Sequence, residues 1–148
     1  MPCPPEVRSP HTVQEWQRYY DLRWRVLRAP WQAAGPAREP DDASSIHRML
    51  CMDDGEVLAV GRLHQVDEHT GQIRFMAVAS GRERRGYGSQ LLQSLEQAAR
   101  DIALDRVILQ AREYAVPFYE HHGYERVEKT FLLFDEIQHY LMRKRLEV

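Results

Sequence analysis

Apolar positions recur at two different periods along the chain, and each change of period marks an element. Val13, Trp16, Tyr20, Trp24 and Leu27 fall at helical spacing behind Thr12 and Glu15, which stand in capping-box relation, so the pattern predicts an amphipathic helix ending before Pro30. The stretch "WQAAGPAREPDDASS" that follows is rich in Pro, Gly and acidic residues and reads as a loop holding one helical turn at most. Two apolar runs, "IHRMLCM" and "VLAVGRLHQV", flank "DDGE", whose Asp54-Gly55 pair signals a tight hairpin and hence two antiparallel strands. Beyond the polar turn "DEHTGQ", the run "IRFMAVA" is broken only by Arg74, as expected of a central strand covered on both faces.

The second half changes period four more times. Leu91, Leu92, Leu95, Ala98, Ala99 and Ile102 return to helical spacing, with Gln93, Glu96, Gln97 and Arg100 between them. "DRVILQA" reads as a strand, and a strand-helix-strand crossover places its two strands parallel. "VPFYEHH" reads as a short helix opened by Pro117 and stopped at Gly123, and His121 and His122 are placed to cap its carbonyls. Strands around "YERVEKTF" and "IQHYLMRKRL" complete the chain. The fold expected is α/β: a mixed, mostly antiparallel central sheet with one parallel strand pair, flanked by helices, as a single domain over residues 1–148.

Composition narrows the function classes. Twenty Lys and Arg against 22 Asp and Glu leave a net charge of -2, which argues against a nucleic-acid partner, since any basic surface has to be local. Cys3 and Cys51 stand far apart, with no C-x-x-C spacing and no matching histidines, so neither a disulfide framework nor a metal site is expected and a reducing, cytoplasmic setting fits. The N-terminal "MPCPPEVRSP" lacks the pattern of an export signal, and no apolar stretch reaches membrane-spanning length, so no membrane partner is expected.

The joint between the central strand and the long helix, "MAVASGRERRGYGSQLL", is unusual in crowding Arg82, Arg84 and Arg85 with Gly86 and Gly88. A helix that opens straight after a strand presents unpaired N–H groups and a partial positive charge, and glycines let an anion approach the backbone. The residues therefore describe either a pyrophosphate cradle or a glycine turn with a solvated basic face. A triphosphate-binding loop is excluded because no Lys-Ser or Lys-Thr follows the glycines, and a dinucleotide fingerprint because the third glycine and acidic follower are absent.

Together with "VILQAREYAVPFYEHHGY", this joint resembles the coenzyme A motif and the following strand-helix motif of the GNAT acetyltransferase superfamily, and the ending "FDEIQHYLMRKRL" resembles its small ElaA-like branch. The likeness runs from about Val57 to the C-terminus, and the N-terminal helix fits it more loosely. Gly86 and Gly88 match the family pattern, while Glu83 stands where Gln or Arg is usual and Arg84 where Gly often sits. The resemblance implies a GNAT-like fold and acetyl-CoA as acetyl donor. It implies that Arg84, Arg85, Gly86, Tyr87, Gly88 and Ser89 cradle the pyrophosphate, that the backbone of Met76, Ala77 and Val78 holds the pantetheine arm, and that Arg112 lies where many relatives carry Asn.

Transfer to an amine also needs proton management. An amine of pKa about 10.4 is deprotonated only about once in several thousand molecules at pH 7, so a base is required. The resemblance puts Gln72 where many relatives have a glutamate that helps remove this proton, and glutamine cannot accept it. His64 and His139 are the alternative bases, since a neutral imidazole suits this pH range. Tyr119 matches the family tyrosine thought to protonate the departing thiolate, and otherwise packs the helix. "LRWRVLRAPWQ", with Arg23, Arg25 and Arg28 beside Trp24 and Trp31, is the expected acceptor side, suited to a carboxylate-bearing or flat molecule or reducible to solvated arginines. The expected partner is a small-molecule or peptide amine, the chain is compatible with a homodimer, and a noncatalytic acyl-CoA sensor is the alternative that Gln72 keeps open.

Overall fold

The computed structural model describes residues 5–31 and 39–147. Its elements run β1 (Glu6–Arg8), α1 (Val13–Leu27), β2 (Ile46–Cys51), β3 (Val57–Gln65), β4 (Thr70–Val78), α2 (Tyr87–Asp101), β5 (Arg106–Arg112), α3 (Val116–His121), β6 (Glu125–Leu133) and β7 (Ile137–Arg145). Short 3-10 turns sit at Ala29–Trp31 and Pro40–Ser44. The strands form a seven-stranded sheet in the order β1-β2-β3-β4-β5-β7-β6, with β4 and β5 parallel and the other neighbours antiparallel. The mixed sheet expected from the alternating periods is the one observed. The three-residue β1, hidden in a proline-rich lead, was not foreseen: it extends the sheet edge by pairing Val7 with Leu50.

Local chemistry explains the helix starts. The Thr12 hydroxyl accepts from the Glu15 amide at 3.1 Å, and the Glu15 carboxylate accepts from the Thr12 amide at 3.2 Å, closing the reciprocal cap that starts α1. Gly86 caps α2 in the left-handed region, at φ 82°. α2 packs closely on β3 at Gly61, where a Cβ would come within 2.9 Å of Leu95, so a larger residue would have to displace the Leu95, Leu91 and Met76 side chains. One core cluster lies under α2, with Leu58, Leu63, Ile73, Leu91, Leu92, Leu95 and Leu109; a second lies under α1, with Tyr19, Leu22, Met49 and Val60.

Two irregularities in β4 shape the site. Its parallel pairing with β5 runs from Thr70 opposite Arg106 to Ile73 opposite Leu109 and ends there, although β4 continues to Val78 beside β3 and β5 continues to Arg112 beside β7. The strands therefore part. On the other edge the register with β3 passes from Arg62–Arg74 to Val60–Ala77, so Phe75 and Met76 together oppose Gly61 alone. This is a bulge, and Phe75 adopts φ 57° within it. The bulge reverses the alternation of side chains: Ile73 and Met76 pack with the α2 cluster, while Phe75 and Ala77 pack with the α1 cluster. Among the described residues no helix is long and apolar enough to cross a membrane.

Candidate active site

The parting of β4 and β5 opens into a cleft of about 550 Å³. Gln72 to Met76 of β4 and Leu109 to Arg112 of β5 form its walls, Tyr119 reaches it from α3, Leu27 and Arg28 come from the end of α1, and Phe131 and His139 close it from the β6–β7 side. Arg112 spans the opening, donating to the Leu27 carbonyl at 2.9 Å. At least part of the guanidinium expected to contact coenzyme is therefore committed to joining β5 to α1.

The glycine loop lies at the C-terminal end of β4. Ala79 donates to Leu58 at 2.8 Å and Arg82 to Ala79 at 2.9 Å, which turns the chain. Glu83, the residue that departs from the family pattern, accepts from the Gly81 amide at 2.8 Å and so serves the turn. Arg82 is tied to Glu56 at 2.8 Å, whereas Arg84, at φ 64°, and Arg85 are exposed. Space is open around Gly86, with no heavy atom within 4 Å of an added Cβ. At Gly88 the same Cβ would meet the Phe118 ring at 3.3 Å, so this glycine lets α3 close on α2. His122 belongs to that contact: its backbone N–H bonds the Tyr119 carbonyl at 3.0 Å, but its ring packs on Phe118 and its Nε2 meets the Ser89 hydroxyl at 2.8 Å. Its ring reaches the loop and does not cap the helix.

The expected proton carriers separate. Tyr119 is nearly buried and its hydroxyl donates to the Met76 sulfur at 3.6 Å, within the cleft wall. Burial pushes its phenol pKa well up, so the oxygen holds its proton. His139 is also buried and stacks on Phe131 with 4.3 Å between ring centres. Its Nδ1 lies 3.0 Å from the Ile137 carbonyl, which can only accept, so Nδ1 carries the proton and Nε2 is bare. Desolvation lowers its pKa below the ordinary histidine value, partly offset by that hydrogen bond, while the Arg112 charge lowers it further. His64 stands opposite Gln72 on β3, with its Nδ1 at 3.4 Å from the Ser45 hydroxyl; Gln72 lines the cleft and His64 is set back from it.

The expected acceptor arginines separate as well. Arg28 lines the cleft, paired with Glu39. Arg25 is exposed and bonds Asp21 at 2.7 Å, and Trp24 is exposed. Arg23 is fully buried and bonds Asp42 at 2.9 Å. The side chain of Trp31 lies outside what the structure describes.

Comparison with known proteins agrees with this architecture. The profile of the Acetyltransferase (GNAT) family matches residues 16–124. The chain belongs to the GNAT acetyltransferase family. It is 30% identical over 136 residues to a UPF0039 protein of Schizosaccharomyces pombe, covering 90% of each chain. It is 32% identical to the uncharacterized N-acetyltransferase YjcF of Bacillus subtilis, over 74% of this chain and 79% of the other. In structure it superposes on Escherichia coli ElaA with a TM-score of 0.80 at 21% identity, covering 95% of this chain and 99% of that one.

Acetyl-CoA is the donor expected of a GNAT domain, and the backbone present here suits it. The outer edge of Met76, Ala77 and Val78 is released by the loss of β5 pairing, leaving main-chain groups free for an amide-bearing arm. The α2 N-terminus adds unpaired N–H groups beside an open Gly86, the arrangement an anionic phosphate needs.

Sequence reasoning missed the side chains that frame the cleft from beneath. Asp42 bridges Arg23 and Arg62, the latter at 2.8 Å, and Arg62 also bonds Asp41 at 2.6 Å. Burial alone would raise the Asp42 pKa, but hydrogen bonds from the Glu39 amide, Arg62 and Arg23 outweigh it and hold the carboxyl down at about 2. His47 completes the group: its Nε2 faces the Asp42 carbonyl at 2.7 Å and so carries the proton, leaving Nδ1 to accept from Tyr19 at 2.7 Å. Phe75 rests on this network, its ring centre 4.5 Å from the Arg23 guanidinium and 5.0 Å from that of Arg62. The available signal was weak: "DD" before a strand, and arginines at positions that periodicity assigns to the interior.

Proposed function

We propose that this chain transfers the acetyl group of acetyl-CoA to an amine of a small molecule or peptide by direct attack, with both molecules bound together. The observation that carries the reading is the cleft where β4 and β5 part: it sets a protonated Tyr119 hydroxyl and a neutral His139 around one cavity, on the same β4 strand that leads into the glycine loop. Acetyl-CoA supplies a thioester carbon at which the C–N bond forms and the C–S bond breaks, while the amine gives up a proton and the thiolate gains one.

The chain's residues divide that work. The amides from Arg84 to Ser89 hold the pyrophosphate, and the β4 edge from Met76 to Val78 holds the arm. His139 receives the amine proton at its bare Nε2. Tyr119 donates a hydrogen bond to the developing thiolate; because its pKa is raised, complete transfer to a thiolate whose conjugate thiol has pKa about 8.5 is uphill, so the hydroxyl acts mainly by steadying the charge and the thiolate takes its proton from solvent. An acyl-enzyme route has little support, since Cys51 is buried under α1 and burial raises its thiol pKa; Cys3 lies outside the described residues.

The test is a panel of amines with acetyl-CoA, read as free thiol. Turnover on any of them eliminates the noncatalytic sensor reading that Gln72 supports. On a productive amine, Tyr119→Phe keeps the ring and should retain acetyl-CoA affinity while slowing turnover about 100-fold, the low end for losing one hydrogen-bond donor to developing charge. A rate within about threefold of the parent rejects the role, because packing alone would be preserved.

A further inference from the structure

Three guanidinium groups surround the Phe75 ring. Those of Arg23 and Arg62 are buried and each is matched by aspartate, whereas Arg74, with its guanidinium carbon 4.6 Å from the ring centre, is exposed in the cleft. Among the described residues no carboxylate pairs with Arg74. Among the described residues the one acid lining the cleft is Glu39, which is taken by Arg28. Arg74 therefore adds positive charge to the cavity, although the whole chain carries -2.

We infer that the amine acceptor carries a carboxylate and that Arg74 binds it, which makes amino acids and similar small amino-carboxylates the substrate class. This rests on the acetyltransferase reading of the same cleft. The chemistry is direct. A guanidinium stays charged at any working pH and meets a carboxylate through two parallel N–H donors. Contact with an aromatic ring limits the motion of the guanidinium without consuming its N–H donors. The platform beneath is fixed in turn: Phe75 is held at φ 57° by the bulge and backed by two arginines locked through Asp41 and Asp42. The bulge turns Arg74 and Phe75 toward α1 and Met76 toward α2, yet Arg74 and Tyr119 line the same cleft, so the anion site and the thiol end of the reaction share one cavity. Arg74 and Arg112 also disfavour a second cation, which helps keep the incoming amine neutral.

The probes are the proteinogenic amino acids and their carboxamides, matched in every atom except the charged group, tested on the parent protein and on Arg74→Gln. Binding is measured by calorimetry in the presence of coenzyme A, and turnover by thiol release from acetyl-CoA. For at least one amino acid the parent should favour the carboxylate over its amide about 10 to 100-fold, the span of one charge-assisted contact. Arg74→Gln should bring that ratio near one while acetyl-CoA affinity holds, and Arg74→Lys should restore part of it. A parent protein that binds no amino acid overturns the inference, as does an equal or better response to amides or an unchanged ratio in Arg74→Gln. Phosphorylated amines preferred over the carboxylates overturn it too, because the anion would then be phosphate. Loss of acetyl-CoA binding or of all turnover in the parent counts against the acetyltransferase reading instead, since carboxylate binding is read separately.

Discussion

The two faces of the sheet are filled by opposite means. Under α2, leucines from the helix interlock with leucines and small residues of β3, β4 and β5, and the buried carboxylate of Glu96 is met by Tyr124 at 2.7 Å and Lys144 at 3.0 Å. Under α1, Tyr19 and Leu22 share the interior with Arg23, Arg62 and Asp42. Apolar packing loses energy roughly in proportion to the volume removed. A buried charge network behaves differently, because removing one member strands the others without water or a partner. The α2 face thus supplies tolerant stability, and the α1 face supplies a stiff floor under Phe75 and the cleft.

Removing the shared partner should break this contrast most visibly. Asp42→Ala removes the carboxylate that Arg23 bonds and weakens the hold on Arg62, and should cost about 3–5 kcal/mol in urea unfolding. Leu95 is fully buried where α2 packs over Gly61 of β3, and Leu95→Ala should cost about 3 kcal/mol. A larger loss for Leu95→Ala than for Asp42→Ala would reverse the assignment of the stiff face. Acid titration sharpens the point with a smaller effect. The folded Asp42 pKa lies below its unfolded value near 3.9, so its stabilisation is complete above about pH 4 and is lost as pH falls toward 2, by about 2 kcal/mol. Asp42→Asn should lack that part of the slope when unfolding is followed between pH 5 and pH 2, and Leu95→Ala should retain it. Equal slopes in the parent and Asp42→Asn would remove Asp42 from the account of acid sensitivity.

The same contrast explains what could be read from the sequence. The α2 face was legible because Leu91, Leu92, Leu95, Ala98 and Ala99 obey one helical period, and the start of α1 because Thr12 and Glu15 are neighbours in sequence. Gly86 and Gly88 marked the turn into α2 because their backbone demands are local. The charged face was not legible, since Arg23 meets Asp42 19 residues away and Arg62 meets it 20 residues away, and nothing local links them. Reading the "LRWRVLRAPWQ" arginines as a group therefore mixed one buried residue, one surface pair and one cleft residue. Arg74 was seen only as an interruption in an apolar strand, because its neighbour Phe75 takes its direction from the register of β3 against β4, a property of two strands together.

That register makes chain length a constraint of its own kind. Beyond the bulge, Met76 and Val78 look toward α2 and Ala77 toward α1, an assignment that depends on two residues standing opposite Gly61. A substitution at Phe75 changes one side chain; a one-residue deletion between Arg74 and Met76 would turn over every later residue of the strand, burying what now faces the other helix and leaving Tyr119 a different neighbour at its hydroxyl. The spacing between Ile73 and Ala77 is thus a counted distance, more sensitive to a change in the number of residues than to a change in their identity.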